Sequence, residues 1–389
     1  MRLHYFPALY IQAFPMQQIP VFKPLLEREE LGAAEEALKL GWLGPGSYVG
    51  RFEEALAQFC AGAERKVVAV STGHAAIHLA LLRMGVSAGD EVITPALNNI
   101  ADLQAIRATG AEPVFCDIDP VSLCIDPARA EELIGPRTRV IIATDYACHL
   151  CDHDRLTEIA ARRGVRLLHD AAHALGSRHR GRPIGSFSDI TMFSFDPVKT
   201  ITTIDGGALV VKGEDDVRWL REARLIGMGQ PSEVMYQNRR AWTYDVGHIG
   251  FRYHLANLHA AIGLVQLEKI ERIAQTRRAT ARRYVAELSG VAGLQLPQAD
   301  FNDIVPFMFY VRVPAERREE FKAHLDAKGV DHGLHWQPGH WFTFFRDCRN
   351  GPLEVTEKVA RQLVTVPLHS AMPEDVVTRV IGAVKSFFR

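Results

Sequence analysis

The sequence has few cysteines, no excess of charge of either sign and no long hydrophobic run. Six cysteines among 389 residues are too few for a disulfide framework, which indicates a reducing compartment. The 45 lysines and arginines nearly balance 46 aspartates and glutamates, so no basic excess favours nucleic acid or an anionic membrane. The apolar runs fall far short of the roughly 20 residues of a membrane helix. We therefore expect a soluble cytoplasmic protein without a signal peptide.

Short apolar stretches alternate with helix-patterned stretches from about residue 19 onward. Hydrophobic residues make up 47% of the chain and charged residues 23%, an ordinary globular composition that excludes disorder. Short strands rich in Val, Ile and Leu, separated by helices, indicate a mostly parallel sheet covered on both faces. The strands are predicted at residues 67–70, 91–94, 112–117, 140–144, 165–168, 190–195 and 208–211. The predicted fold class is α/β.

Three regions follow from the order of elements. Residues 1–18 are predicted to be an N-terminal extension, residues 19–260 a large α/β domain and residues 261–389 a smaller α+β domain. A long helix over residues 250–269 is predicted to bridge the two domains. The helix after it carries arginines at helical spacing that predict a solvated face: Arg277, Arg278, Arg282 and Arg283.

Three polar features follow predicted strands, where open α/β sheets bind their ligands. Gly73 begins a helix whose free amides suit a phosphate, although such turns are common. Asp170 closes an apolar strand, either as a helix cap or as a functional acid. Lys199 has apolar neighbours that would lower its pKa and make its amine an imine-forming nucleophile; the alternative is a solvated lysine. Together, a phosphate cradle, an acid and a nucleophilic lysine are what pyridoxal phosphate (PLP) requires.

The sequence resembles the DegT/DnrJ/EryC1/StrS aminotransferases, which are PLP enzymes of fold type I. The resemblance runs from about residue 19 to the C-terminus and implies a three-layer α/β/α large domain, a small C-terminal domain and a homodimer with composite active sites. It rests on IPVFKP at 19–24, GWLGPGSYVGRFEE at 41–54, STGHAAIHLAL at 71–81, GDEVITPA at 89–96, GAEPVFCDID at 110–119, HDAAHALGS at 169–177, GSFSDITMFSFDPVKTITTIDGGALVV at 185–211 and PLH at 367–369.

The resemblance also implies a role for individual residues. Lys199 would be the Schiff-base lysine and proton carrier, and Asp170 would bind the pyridine nitrogen of PLP. His173 stands where the family usually has a glutamine near the ring oxygen. The phosphate would be bound by residues near two strand ends, Gly73, His74 and Ser194.

Two further cofactor positions depart from the family pattern. Asn99 occupies the position of an aromatic residue that stacks on the pyridoxal ring, and its amide would lie against the ring instead. Arg252 falls where an asparagine commonly reaches the neighbouring subunit's phosphate, in a segment, GFRYHL at 250–255, that we interpret as a helix start. An arginine suits that task because charge-assisted hydrogen bonds to phosphate are strong. Since Lys199, Asp170 and Ser194 are retained, we interpret these departures as a remodelled pocket.

Aromatic and histidine residues are the candidates for substrate binding. His335 and Trp336 lie in a segment that resembles the one facing the sugar in this family, with a packed aromatic loop as the alternative. Trp42 and Tyr146 are further candidate pocket walls.

No metal site is predicted. Cys148 and Cys151, with His153 nearby, form one CxxC without a second pair, whereas structural zinc needs four ligands. We expect buried or pocket-lining thiols there, with a metal site or a redox role as alternatives.

The resemblance implies that glutamate or glutamine donates an amino group to a keto sugar through Lys199, with a nucleotide-linked sugar as the favoured acceptor. A non-nucleotide keto sugar or an inosose is an alternative acceptor. A PLP- or pyridoxamine-phosphate-dependent sugar dehydratase is an alternative reaction, but those relatives replace the catalytic lysine with histidine. A non-catalytic scaffold or sensor is the third alternative, and only Asn99 supports it.

Overall fold

The computed structural model describes residues 18–62 and 64–389, so the predicted N-terminal extension lies outside the described residues apart from residue 18. The helices are α1 (Arg28–Lys39), α2 (Ser47–Leu56), α3 (Gly73–Arg83), α4 (Ile100–Ala108), α5 (Pro127–Leu133), α6 (His153–Arg163), α7 (Glu214–Ala223), α8 (Ser232–Met235), α9 (Asn257–Glu268), α10 (Ile270–Leu288), α11 (Arg318–Ala327), α12 (Glu354–Gln362) and α13 (Glu374–Phe387). The strands are β1 (Lys66–Val70), β2 (Glu91–Pro95), β3 (Glu112–Cys116), β4 (Thr138–Thr144), β5 (Arg166–Asp170), β6 (Arg178–His179), β7 (Arg182–Pro183), β8 (Ile190–Ser194), β9 (Gly207–Val211), β10 (Phe309–Arg312) and β11 (Leu363–Val366). A π-helical turn (Ala57–Ala61) continues α2, and short 3-10 turns cover Ala315–Arg317 and Gly339–Trp341.

The central sheet has seven strands in the order β1-β9-β8-β5-β4-β2-β3. The pairs β3–β2, β2–β4, β4–β5 and β5–β8 are parallel, whereas β9 runs antiparallel to both β8 and β1. Each of the seven strands lies where the apolar stretches predict it, within a few residues. The mostly parallel sheet confirms the α/β fold class.

Helices cover both faces of this sheet. Apolar side chains of α3, α4 and α7 pack on one face with Val68, Val92 and Ile142, and α2 and α9 pack on the other. Each such buried aliphatic side chain contributes about 1.5–3 kcal/mol to folding. Because both faces are covered, the carboxyl-terminal edge of the parallel strands is the part of the sheet that remains for a ligand.

The C-terminal part of the chain packs a two-stranded antiparallel sheet, β10–β11, against α11 and α13. Its core is continuous with the side of the large sheet near β3 and β4, since Ile141 and Val384 belong to one apolar cluster. Helix α9, at the predicted boundary of residues 260 and 261, packs against α1 and α2. None of the described helices has the length and hydropathy that a membrane crossing requires.

The predicted helix over residues 250–269 begins too early. Residues 250–256 are extended, and α9 starts only at Asn257. The Phe251 N–H donates to the Ala223 carbonyl at 2.6 Å, and the Tyr253 carbonyl accepts from the Ser71 N–H at 2.7 Å. These long-range backbone bonds hold the segment beside β1 and the end of α7, so a helical conformation is excluded there.

The predicted solvated arginine face on α10 is wrong for Arg277, which is 1% exposed. Its guanidinium donates to the Ser370 hydroxyl and to the Phe307 carbonyl, both at 2.9 Å. Burial lowers the pKa of Arg277 to about 10. The side chain therefore ties α10 to two remote loops by satisfying oxygens that would otherwise be buried without donors.

Candidate active site

A cavity of about 310 Å³ lies at the carboxyl-terminal ends of β5 and β8, where the N-termini of α3 and α4 converge. This is the edge of the sheet at which the sequence predicts the ligand. The cavity brings together most of the predicted site residues, namely Gly73, His74, Asn99, Asp170, His173, Ser194, Lys199 and Trp336.

One end of the cavity is shaped for a phosphate group. Thr72 caps α3, its hydroxyl accepting from the Ala75 N–H at 2.9 Å, which leaves the earlier amides of the helix free. Any side chain at Gly73 would fill the adjacent space, because a Cβ there would lie 2.8 Å from the Ser194 Oγ. The glycine therefore keeps a gap between the helix start and a hydroxyl donor, which is the space that a phosphate needs.

Lys199 lies in the loop after β8, and its backbone N–H donates to the Asp196 carbonyl at 3.0 Å. Its ammonium group sits 4.4 Å from the centroid of the Phe307 ring. Burial lowers the pKa of Lys199 to about 8, against the raising effect of Asp170. About a tenth of the amine is therefore neutral at pH 7, far more than for an ordinary lysine, and the neutral form is what a nucleophile and proton carrier requires.

Asp170 ends β5 and is 4% exposed. The Ala172 N–H donates to its Oδ1 at 3.0 Å, and burial raises the pKa of its carboxyl group to about 6. The approach of a cation such as a protonated ring nitrogen would favour the ionised form of this carboxyl. The helix-cap alternative is not what the structure shows, since no described helix begins after Asp170 until α7.

His173, Phe307 and Trp336 form an aromatic wall of the site. The rings of His173 and Phe307 stack with centroids 4.3 Å apart, and those of His173 and Trp336 are 6.4 Å apart. The Ala147 N–H donates to His173 Nδ1 at 3.3 Å. Burial and the neighbouring Lys199 hold the pKa of His173 well below its usual range. His173 is therefore a neutral imidazole whose Nε2 carries the proton, able to donate to a ligand oxygen as a glutamine amide would.

Asn99 serves as the N-cap of α4. Its Oδ1 accepts from the Ala101 N–H at 2.8 Å, which accounts for a polar residue at this position. Its side chain still lines the cavity. Asn99 therefore both caps α4 and lines the cavity, at the position where the resemblance leads one to expect an aromatic residue.

Four predicted residues lie elsewhere. Trp42 and Arg252 line a second cavity of about 250 Å³, together with Arg239, Arg240 and Trp242. Tyr146 is 1% exposed and is buried behind His173, with their ring centroids 6.4 Å apart. Its hydroxyl donates to the His335 carbonyl.

The His335 imidazole is bonded to the Thr365 hydroxyl at 2.9 Å. It therefore packs beneath the loop that carries Trp336, whose own ring reaches the cavity. Of this aromatic pair, Trp336 lines the cavity and His335 does not.

The CxxC cysteines are buried thiols. Cys148 and Cys151 are 1% and 2% exposed, and burial raises the pKa of both. Neither feature suits a reactive thiolate, so a redox role is disfavoured. Both lie outside the lining of the cavity that holds Lys199 and Asp170.

His153 pairs with residues other than these cysteines. Asp145 accepts from the Nε2 of His153 at 2.9 Å and of His169 at 2.6 Å, in a fully buried triad. Among the described residues, this triad is the group whose ligand atoms lie close enough for a metal ion. Since Asp145 also accepts from the Cys151 N–H at 2.9 Å, hydrogen bonding accounts for the arrangement.

Three side chains of the site were not predicted from the sequence. Phe307 lies under the Lys199 amine, and Asn98 and Asp102 form a buried polar pair in the cavity wall. Asp102 looks from the sequence like an ordinary acid in the first turn of a helix. Its position among apolar neighbours, in the stretch IADLQAI at 100–106, was the available signal of burial.

The residues of this cavity fit PLP, and known proteins agree with that fit. The sequence matches the DegT/DnrJ/EryC1/StrS aminotransferase family over residues 24–385. It is 31% identical over 380 residues to the spore coat polysaccharide biosynthesis protein SpsC of Bacillus subtilis (strain 168), covering 95% of this chain and 97% of SpsC.

Two solved structures extend the comparison to the fold. The aminotransferase TlmJ from Streptoalloteichus hindustanus has a TM-score of 0.87 at 32% identity, covering 95% of this chain and 98% of TlmJ. Spr1654 from Streptococcus pneumoniae, a proposed sugar aminotransferase solved in its pyridoxamine phosphate form, has a TM-score of 0.88 at 26% identity, covering 95% and 98%.

Proposed function

Because the chain belongs to the DegT/DnrJ/EryC1/StrS aminotransferase family, we propose that it moves an amino group from glutamate or glutamine to a keto sugar. The favoured acceptor is a sugar linked to a nucleotide. The enzyme is a PLP-dependent transaminase, and one observation of the structure gives the main support for this reaction. Lys199, with a lowered pKa, shares a single cavity with Asp170 and with the glycine that begins α3.

Each of these residues has a task in amino transfer. PLP, when bound, supplies an electrophilic carbon and an electron sink. Gly73, His74 and Ser194 would hold its phosphate, and Asp170 would keep a proton on its ring nitrogen. Lys199 Nζ takes the proton from the donor carbon and delivers it again, which a primary amine with a pKa near 8 can do in both directions. His173 would donate to the ring oxygen from Nε2.

The sugar acceptor is supported by relatives and by the rim of the site. SpsC is named for polysaccharide biosynthesis, and Spr1654 is a proposed sugar aminotransferase. Trp336 offers a flat apolar face at the cavity, of the kind on which a sugar ring packs. The second cavity carries Arg239, Arg240 and Arg252, whose guanidinium groups suit a diphosphate.

The alternatives are less well supported. A dehydratase of this fold lacks the catalytic lysine, which this chain retains as Lys199. A non-catalytic scaffold gains nothing from a buried lysine, because burying an amine destabilises the folded protein. We also expect the enzyme to act in the cytoplasm, since all six cysteines are free and five of them are buried.

The proposed reaction is tested in two halves with the purified holoenzyme. Glutamate should bleach the visible absorption of the protein and release one equivalent of 2-oxoglutarate per site. A nucleotide-linked 4-keto-6-deoxyhexose should then restore the absorption and appear by mass spectrometry as the amino sugar. Restoration by a free inosose but by no nucleotide-linked ketone would overturn the favoured acceptor, while leaving the transaminase chemistry in place.

The site is expected to be completed by a second copy of the chain. Arg252 lines the second cavity and not the one that holds Lys199, and the segment around it exposes apolar side chains to solvent. Trp242 is 87% and Ile249 82% exposed. Large exposed apolar residues beside a basic cavity are typical of a protein interface. A homodimer would cover them and bring Arg252 to the partner's phosphate.

Mixing two inactive variants tests this composite site. Lys199→Ala and Arg252→Ala homodimers should each have low activity. In a hybrid dimer of the two variants, both defects would fall in one site and the other site would be intact. After the two are mixed in equal amounts under exchange conditions, activity should rise to about a quarter of wild type. Mixing Lys199→Ala with Lys199→Met gives the matched control, which should stay inactive. A mixture no more active than its parents would show that Arg252 serves the site of its own subunit.

A further inference from the structure

Asp102 is a second buried acid in the wall of the PLP cavity. It lies in the first turn of α4 and is 1% exposed. Thr144 of β4, which is the register partner of Asp170 in β5, donates its hydroxyl to Asp102 Oδ2 at 3.2 Å. Asp102 and Asp170 therefore approach each other from neighbouring elements, across the pair β4–β5.

The two oxygens of Asp102 have different surroundings. Oδ2 accepts from the Asn98 amide and from the Thr144 hydroxyl. Oδ1 is buried, and no donor among the described residues bonds to it. The side chain of Asp102 is nevertheless within hydrogen-bond reach of the Asp170 carboxyl. A buried carboxyl oxygen that has no donor and belongs to a residue beside another buried acid is explained if it carries a proton and is itself the donor.

The charges around the pair also favour one retained proton. Lys199 is the cation that faces both acids, and Asp196 competes for it. Asp145, behind Asp170, adds a further negative charge. Burial together with the charge of Asp170 holds the pKa of Asp102 well above its usual range. Two buried carboxyl groups that share so little positive charge do not both ionise.

We propose that Asp102 carries a proton that it donates to Asp170, so that it acts as a positioning residue for the acid that meets the ring nitrogen of PLP. The role of Asp170 rests on the proposed function, whereas the shared proton does not depend on the cofactor. An ordinary helix-capping role does not account for Asp102, because Asn99 already caps α4. The Ala172 N–H and the Asp102 hydroxyl would together fix both the rotation and the charge of Asp170.

Asp102→Asn is the most informative variant, because asparagine has the shape of a protonated aspartate and its NH₂ group is a hydrogen-bond donor at every pH. Its amide oxygen would accept from Asn98 and Thr144, and its NH₂ would donate to Asp170. Asp102→Leu removes the donor at similar volume. Asp117→Asn, at a buried acid that accepts from Val355 and Thr356 outside the cavity, is the control for replacing a buried aspartate elsewhere.

The cofactor-free protein tests the shared proton directly. A folded-state pKa above the unfolded value gives stability that is present at low pH and lost as pH rises through the folded pKa. As pH rises above the unfolded-state pKa of about 4, wild type should therefore become progressively less stable than Asp102→Asn, and the difference between their Tm values should widen by about 3 °C. The Tm difference between wild type and Asp117→Asn should lack this widening. A constant difference between wild type and Asp102→Asn would overturn the proposal.

Cofactor binding then tests the positioning role. The Kd of Asp102→Asn for PLP should stay within about threefold of wild type, whereas that of Asp102→Leu should rise roughly tenfold or more. The pH titration of the visible absorption should likewise match wild type only in Asp102→Asn. If Asp102→Asn behaves like Asp102→Leu, the acid acts as an anion and the proposal is wrong. Failure of every protein, wild type included, to bind PLP would instead overturn the proposed function, and the cofactor-free test would still decide the shared proton.

Discussion

Replacing Lys199 by alanine is expected to lower the rate of amino transfer from glutamate by at least about 10³-fold. Lys199 shares the cavity with Asp170 and Ser194, and its burial keeps partly neutral the amine that we propose as the base. His173 is a poor substitute for this base, because its Nδ1 already accepts the Ala147 N–H and its pKa lies well below the usual range. Single-turnover absorption measurements on the reconstituted variant give the rate.

Lys212→Ala is the matched control, since Lys212 is an exposed lysine paired only with Glu64. It should transfer the amino group at the wild-type rate. The cofactor-free wild type should also react with PLP faster as pH rises from 6 to 8, because the neutral fraction of Lys199 grows toward its pKa of about 8. A Lys199→Ala protein that turns over within tenfold of wild type would mean that another group carries the proton.

The sequence predicted the part of the site that local chain order determines. Lys199, Asp170 and Gly73 each follow a short apolar strand, and strands of a parallel sheet end at the same edge. Their convergence therefore needs only the α/β pattern. The cofactor itself followed from the combination of an amine, an acid and a phosphate cradle, as the resemblance to the family also implied.

What the sequence did not predict depends on partners far along the chain. Residues 250–256 resemble a helix start, but backbone bonds to Ala223, Arg224 and Ser71 hold them extended. In the sequence, Arg277 looks like part of a charged, solvent-exposed helix face. In the structure its guanidinium is buried and donates hydrogen bonds to the Phe307 carbonyl and the Ser370 hydroxyl. A helical periodicity of charge does not indicate which face of the helix a later loop will cover.

The surroundings of Asp170 illustrate the same limit at the site. The sequence places an acid at the end of β5 but does not show that α4 brings a second acid to it. Nor does it show that Asp145, with two histidines bonded to it, lies one strand away. His153 and His169 lower the pKa of Asp145 despite its burial, through their charge and their hydrogen bonds, so Asp145 is an anion that cannot take the proton of the pair. The proton is therefore left to Asp102 and Asp170.

Replacing Asp170 by asparagine is expected to lower kcat for amino transfer by roughly 10²–10³-fold while PLP still binds covalently to Lys199. The neutral amide cannot hold a proton on the ring nitrogen, so the ring becomes a weaker electron sink. The phosphate site that we propose at Gly73 and Ser194 would be left intact, so cofactor affinity should fall much less than the rate. Steady-state kinetics together with cofactor titration separate the two effects.

A cofactor with a permanent charge separates the electrostatic role of Asp170 from a structural one. N-methylated PLP keeps a positive ring nitrogen without any proton, so it should recover much of the rate lost in Asp170→Asn. The same analogue should not help Lys199→Ala, whose defect lies in proton transfer at carbon. If the analogue leaves Asp170→Asn as slow as before, the acid acts by shaping the cavity, and the pair with Asp102 would then be a packing contact without an electronic effect. Recovery in Asp170→Asn alone would assign the two steps of the chemistry, charge on the ring and proton transfer at carbon, to two different residues of one cavity.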